Sequence, residues 1–185
     1  RIGHKNKTEF NYWEISNNNA LDKSHRAAFP IGLPLKAMQL YDKGEVTLNA
    51  RLGDMLPVFK GSNKEDATLI DMLTHQARFQ PWEAFYLKTL DATKHPDSKY
   101  YRKTPSKEFP FKVAENLYIR KDFNDTIINT IAKSKLRATK EYKYSDFSFI
   151  LLKEYLELKT QKKLDVLANE NFYSLMGMNH TTYKP

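Results

Sequence analysis

After residue 30 the apolar positions of this chain keep mostly to helical spacing. The clearest run starts at Phe147, with Ile150, Leu151, Tyr155 and Leu158 following at offsets of three, four, eight and eleven, which puts them on one helix face. Ser145 or Asp146 just before it is the natural N-cap, because a side-chain oxygen there accepts a hydrogen bond from an otherwise unpaired first-turn amide. A second amphipathic helix is predicted over 122–136, with Phe123, Ile127, Ile128 and Ile131 inward and Asp122 or Asn124 as cap. Shorter helices follow from the same rule. One covers 34–43, with Leu35, Met38 and Tyr41 inward, proline in its first turn and Gly44 as its stop. Another covers 52–56 and is closed by Pro57; a third covers 67–75 and carries Leu69, Ile70, Met72 and Leu73; the last covers roughly 163–176 and ends at Gly177.

Extended structure is scarcer. An aromatic run from Phe10 through Tyr12 to Glu14 reads as a strand ending in the Ser16–Asn19 turn cluster, Val46–Leu48 as a brief extended piece, and 111–119 as containing a short strand. Residues 79–111 set Trp82, Phe85, Tyr86, Tyr100, Tyr101, Phe109 and Phe111 among four prolines with little periodicity. A connection of that length is a functional or a mobile loop. For any single aromatic in it, packing onto the helices is the plainer role.

With 185 residues, 41% hydrophobic and 13% aromatic, the chain is one domain or part of one, large enough to bury a core. A net charge of +8 invites a nucleic-acid partner. The lysines are scattered from Lys5 to Lys163 with no nucleic-acid module among them, so a solvated basic surface is the reading and no nucleic acid is expected. Without cysteine there is no disulfide, thiolate metal site or cysteine nucleophile. No apolar run is long enough to cross a membrane. The five histidines show no metal-ligand spacing, and neither metal nor cofactor is expected. His75, at the end of its predicted helix, could be a ligand or a base, but stabilisation by the helix dipole and the last carbonyls is the commoner arrangement.

Several ordered segments together resemble the serine β-lactamase and penicillin-binding-protein-like hydrolases. They are Leu69-Ile70-Asp71-Met72-Leu73-Thr74-His75, then Tyr144-Ser145-Asp146 with Phe149-Ile150-Leu151-Leu152, then Leu175-Met176-Gly177-Met178 with Thr181-Thr182. His75-Gln76-Ala77-Arg78, Pro81-Trp82 and Phe85-Tyr86 are similar to the branch found fused behind a family 3 glycoside hydrolase in Bacteroidetes-type bacteria. The resemblance implies an α+β fold: a single, incomplete domain over 1–185, with the helical subdomain and cleft loops over 29–185 and a remnant of the antiparallel sheet over 1–28. It also implies a small-molecule or peptidoglycan-type substrate, no cofactor, a periplasmic or otherwise extracytoplasmic location, and a glycoside hydrolase domain fused in the parent protein.

In that family acyl transfer uses a serine and a lysine spaced S-x-x-K, a tyrosine opening a Y-x-N triplet, and a strand bearing K-T-G or H-x-G. Here Phe29-Pro30-Ile31-Gly32 continues as Leu33-Pro34-Leu35-Lys36, so Lys36 falls on the lysine and Leu33 on the serine. The following match arrives about six residues early, and a deletion removing the S-x-x-K turn explains this equally well, in which case Lys36 belongs to the helix body. No serine in the chain has a lysine three residues on, and Thr104-Pro105-Ser106-Lys107 reads as a loop. Tyr144 takes the tyrosine position; a phenol of pKa about 10 acts as a base only where cations favour its anion. Asp146 stands where asparagine is usual and adds a charge that opposes that anion. The K-T-G or H-x-G strand is not in the sequence. By resemblance, then, the catalytic candidates are Tyr144 and Lys36, and Ser145, Asp146, His75 and Trp82 lie on the substrate side. The chain as written is expected to be inactive, with a non-catalytic binding remnant of the fold, or a basic module for anionic polymers, as the alternatives.

Overall fold

Helices are the main regular elements of the chain from Ala28 to Met178, the residues that the computed structural model describes. They are α1 (Ala28–Asp42), α2 (Leu52–Met55), α3 (Leu69–Leu73), α4 (Phe123–Lys133), α5 (Asp146–Thr160) and α6 (Leu164–Ala168), and three short strands, β1 (Tyr101–Arg102), β2 (Phe111–Ala114) and β3 (Leu117–Ile119), lie between α3 and α4. The strand expected near residues 10–14, the sheet remnant over 1–28 and the Thr181-Thr182 pair lie outside the described residues. The chain divides into two compact units, a smaller one containing Ala84–Ile127 and a larger one built from residues 28–83 and 128–178.

In the larger unit α1 starts earlier than its rhythm predicts, so Pro34 lies inside the helix rather than in its first turn and supplies no amide to the turn before it. The buried positions are Leu33, Ala37 and Leu40, whereas Leu35, Met38 and Tyr41, expected inward, are exposed. The two apolar triplets interleave on one helix, and packing against α5 and α6 selects between them. The helix stops where Gly44 takes the left-handed conformation (φ 71°) and donates its amide to the Tyr41 carbonyl at 2.9 Å. Val46–Leu48 forms a bend and turn rather than an extended piece, with Val46 buried.

The α5 helix is buried nearly all round over its first two turns, from Phe147 to Leu152. Its predicted face therefore holds for Phe147, Ile150 and Leu151. Farther on, Leu156 is fully buried and Leu158 is exposed. Each such side chain contributes about 1.5–3 kcal/mol through burial. Glu157 joins the end of α5 to the start of α6, accepting from Lys153 Nζ at 3.3 Å, Lys163 Nζ at 3.0 Å and the Leu164 amide at 2.8 Å. Beyond α6, Asn169–Tyr173 winds as a π-helix, with the Ser174 amide bonded to the Asn169 carbonyl at 3.0 Å.

A buried lysine closes the C-terminal end of α4. Lys64 Nζ donates to Asn63 Oδ1 at 2.8 Å, to the Ala132 carbonyl at 3.3 Å and to the Ser134 carbonyl, and Asn63 Nδ2 also reaches Ser134 O, at 3.2 Å. The last carbonyls of a helix lack intrahelical partners, and this ammonium supplies one. The predicted inward set of α4 is borne out: Phe123, Ile127, Ile128 and Ile131 are all buried.

In the smaller unit the long aromatic connection is partly ordered. A 3-10 turn spans Phe85–Thr89, and the three strands make an antiparallel sheet in the order β1-β3-β2, with Tyr101 opposite Ile119 and Phe111 also opposite Ile119. The expected single strand is thus a hairpin, turning at Asn116 in the left-handed region (φ 51°). Phe85, Tyr101, Phe109, Val113 and Ile119 are buried, and the Tyr101 hydroxyl meets Thr89 Oγ1 at 2.9 Å.

Candidate functional site

The segment from Tyr142 to Asp146 is held against the chain that leaves α3. That helix opens with a capping box, in which Thr68 Oγ1 accepts from the Asp71 amide at 3.2 Å and the Asp71 carboxylate accepts from the Thr68 amide at 3.4 Å. It closes before His75, which adopts a left-handed backbone (φ 55°) that a residue with a Cβ seldom takes. The chain therefore turns sharply. The His75 carbonyl accepts from the Lys143 amide at 3.1 Å, and the Pro81 carbonyl accepts from the Asp146 amide at 2.9 Å.

Side chains complete the attachment. The Ser145 amide donates to His75 Nδ1 at 3.3 Å, and the Ser145 hydroxyl donates to the Gln80 carbonyl at 2.7 Å. Ser145 does occupy the N-cap of α5, but its side chain makes no cap bond and its hydroxyl is instead oriented to the Gln80 carbonyl, which corrects the expected capping role. Arg137 Nε reaches the Phe79 carbonyl at 3.2 Å and its Nη2 the Glu141 carbonyl at 2.8 Å, Arg78 Nε reaches the Arg137 carbonyl at 2.7 Å, and Gln80 Nε2 reaches the Lys135 carbonyl at 3.0 Å. These two arginines and the glutamine were not apparent as site-builders, since partners more than fifty residues apart leave no mark in local periodicity.

His75 is buried, and burial lowers its pKa from the ordinary value. Because Nδ1 accepts a hydrogen bond, the neutral ring carries its proton on Nε2. The ring lies 4.7 Å from that of Tyr144, meets Phe149 edge-on at 5.0 Å and Tyr142 edge-on at 5.9 Å. In place of the expected stabilisation by the helix dipole and the last carbonyls, the ring sits inside an aromatic cluster and accepts from the Ser145 amide. Its Nδ1 lone pair is already occupied, and the Ser145 hydroxyl is buried and donating elsewhere, so the two do not form a nucleophile and base. Tyr144, by contrast, is about half exposed, as is Trp82 next to Pro81.

Lys36 lies elsewhere in its bonding. On α1, its Nζ donates to Gln39 Oε1 at 2.7 Å and Asn171 Oδ1 at 3.2 Å, and burial together with the like charge of Lys43 lowers its pKa. Leu33, where the ungapped alignment sets the serine, is fully buried. The structure thus brings His75, Tyr144, Ser145 and Asp146 together, with Trp82 following Pro81, and gives Lys36 partners outside that group. Thr104-Pro105-Ser106-Lys107 is an exposed loop. Among the described residues no group of three or more histidine or acidic side chains could hold a metal ion, and no helix is long and apolar enough to cross a membrane.

A family model described as Beta-lactamase matches residues 35–185. The fold is similar to that of FmtA from Staphylococcus aureus, at 17% identity and a TM-score of 0.53, over 90% of this chain and 34% of that one. It is also similar to a class C beta-lactamase from Rhodobacter sphaeroides (17% identity, TM-score 0.50, 88% and 34% covered). A protein of Bacteroides dorei DSM 17855, provisionally described as a beta-lactamase, matches at 15% identity and a TM-score of 0.50, over 90% and 38%. No curated protein matches. The chain spans little more than a third of the length of these structures. Helices with a small antiparallel sheet agree with the expected α+β part of that fold.

Proposed function

The chain belongs to the beta-lactamase family, and from that membership we propose that it derives from a serine hydrolase of amide or ester bonds and now binds such substrates without being acylated by them. The substrate class is a cell-wall peptide or a β-lactam, met outside the cytoplasm, and the parent protein carries a fused glycoside hydrolase domain. One observation supports the loss of acylation: Leu33, which the ungapped alignment sets on the serine and which has no nucleophilic atom, is fully buried three residues before a lysine engaged by Gln39 and Asn171. The half-exposed faces of Tyr144 and Trp82 support a retained binding edge, since aromatic faces and a nearby carboxylate, Asp146, suit a peptide or bicyclic amide.

The test is the intact mass of the chain before and after incubation with a penicillin and, separately, with a fluorophosphonate. An unchanged mass of 21.7 kDa is expected. A single covalent adduct with either reagent overturns the proposal and makes Tyr144 and Lys36 the first residues to replace. Binding is read separately, as quenching of tryptophan fluorescence by a penicillin, which Tyr144→Ala should weaken by about tenfold; no quenching at millimolar ligand refutes the binding edge.

A further inference from the structure

The smaller unit holds a basic recess that the reading above leaves unused. Its volume is about 260 Å³, and its walls carry Lys99, Arg102, Arg120 and Lys121 against two carboxylates, Glu108 and Asp122. Four cations against two anions leave a formal charge of +2. The remaining wall is Phe109, buried, with the Arg102 guanidinium over its ring at 4.4 Å.

These cations are not equally committed. Arg102 is fixed by its aromatic floor and by Nη1, which donates to the Tyr101 carbonyl at 2.8 Å and to the Ser98 carbonyl, so among the described residues Nε and Nη2 are without a hydrogen bond. Lys99 Nζ lies 5.5 Å from the Tyr100 ring centroid, and neither Lys99 nor Lys121 has an ion-pair partner among the described residues. Arg120 alone is engaged by an anion, its Nε and Nη2 both donating to Asp122. A guanidinium whose fork already holds a carboxylate is shaped for a two-oxygen anion. A guanidinium already placed over an aromatic ring loses little freedom on binding one.

We propose that this recess binds a phosphate dianion, free or as a monoester, with Asp122 as a resident competitor that yields the Arg120 fork to it. The charge of the dianion equals the surplus of the lining. The volume admits one phosphate and a small substituent and is below that of most drug-sized sites, which run from about 300 Å³ upward. A monocarboxylate leaves one positive charge unmatched and presents fewer acceptor oxygens, so it binds less tightly.

The experiment titrates the full 185-residue chain with inorganic phosphate, glycerol phosphate, acetate and chloride at constant ionic strength, above the second ionisation of phosphate. Amide and arginine Nε–H signals are followed by NMR. Saturable shifts confined to the neighbourhood of residues 98–122 are expected with one or both phosphates, with acetate weaker by about tenfold. Saturation by both assigns the site to the oxyanion itself; saturation by the ester alone assigns it to monoesters. Arg102→Gln should weaken binding by about tenfold. Asp122→Asn keeps a good residue at the start of α4 and removes the competitor, so it should tighten binding severalfold. Shifts that do not saturate, equal shifts with chloride, or an unchanged affinity in a folded Asp122→Asn chain overturn the proposal.

Discussion

Replacing Lys64 by methionine sets two buried effects against each other, and its pH dependence separates them. The lysine is 1% exposed, its ammonium bonds Asn63 and the carbonyls of Ala132 and Ser134, and burial draws its pKa down to about 8. Methionine fills a similar volume with little packing loss. It offers no proton to the end of α4, however, so the Ala132 carbonyl loses its ammonium partner while Ser134 O keeps Asn63 Nδ2. Leaving that part-buried carbonyl without the ammonium costs about 1–3 kcal/mol, the exposed Asn63 Oδ1 turns to water, and removing the desolvated charge returns part of the cost. The expected net loss at pH 7 is therefore about 1–2 kcal/mol. As pH rises from about 8 toward the unfolded value near 10.5, the unfolded chain still binds the proton that the folded chain has released. The folded pKa is the depressed one, so this contribution is complete above the unfolded pKa and is lost as pH falls through the folded value. Wild type should accordingly gain about 1–2 kcal/mol on Lys64→Met between pH 7 and pH 10, after allowance for solvent screening. Urea unfolding followed by circular dichroism at both pH values measures the gap, and the other titrating groups, shared by the two chains, cancel. Equal stability at pH 7, or a gap that narrows as pH rises, refutes the reasoning.

Three further outcomes are expected. Thr68→Ala removes one half of the capping box on α3 and should cost about 1 kcal/mol in the same urea assay, with Thr68→Ser recovering most of it. His75 should titrate below its ordinary value by NMR; because its neutral form is the one the fold accommodates, stability should fall as the pH drops through that lowered pKa, and His75→Phe should lose this acid sensitivity while also losing the acceptor for the Ser145 amide. Arg137→Ala strips hydrogen bonds from the Phe79 and Glu141 carbonyls and should destabilise by about 2 kcal/mol, with hydrogen exchange accelerating at the Ser145 and Asp146 amides; unchanged exchange there would show that the turn stands without the arginine.

Local rhythm was most informative where one element decides its own burial. The inward side of α4 was legible because its apolar residues leave a single face that can be buried, whereas the first turns of α5 are buried nearly all round and its rhythm marked only Phe147, Ile150 and Leu151. On α1 two apolar triplets compete, and the outcome belongs to α5 and α6 rather than to the helix. Ser145 illustrates a different limit. A serine before an apolar run has a good local reason to cap the helix, yet the Gln80 carbonyl, 65 residues away in sequence, provides the partner its hydroxyl uses. The family segments single out Tyr144, Ser145, Asp146 and His75, but that His75 packs on Tyr144 and accepts from the Ser145 amide, and that burial lowers its pKa, depends on contacts with another part of the chain.

The π turn at Asn169–Tyr173 bears on how this chain tolerates changes of length. Such a turn holds one residue more than an α-helix needs over the same span, and here it carries Asn171, whose side chain accepts from Lys36 and donates to the Leu167 carbonyl at 2.7 Å. A one-codon deletion inside it should therefore not break the helix but tighten it to an α turn, leaving the residues beyond on the face they now occupy. The residue given up is one that the widened turn already accommodates as an extra, so the helix can absorb a change of length at this point while the side chains that follow keep their orientation.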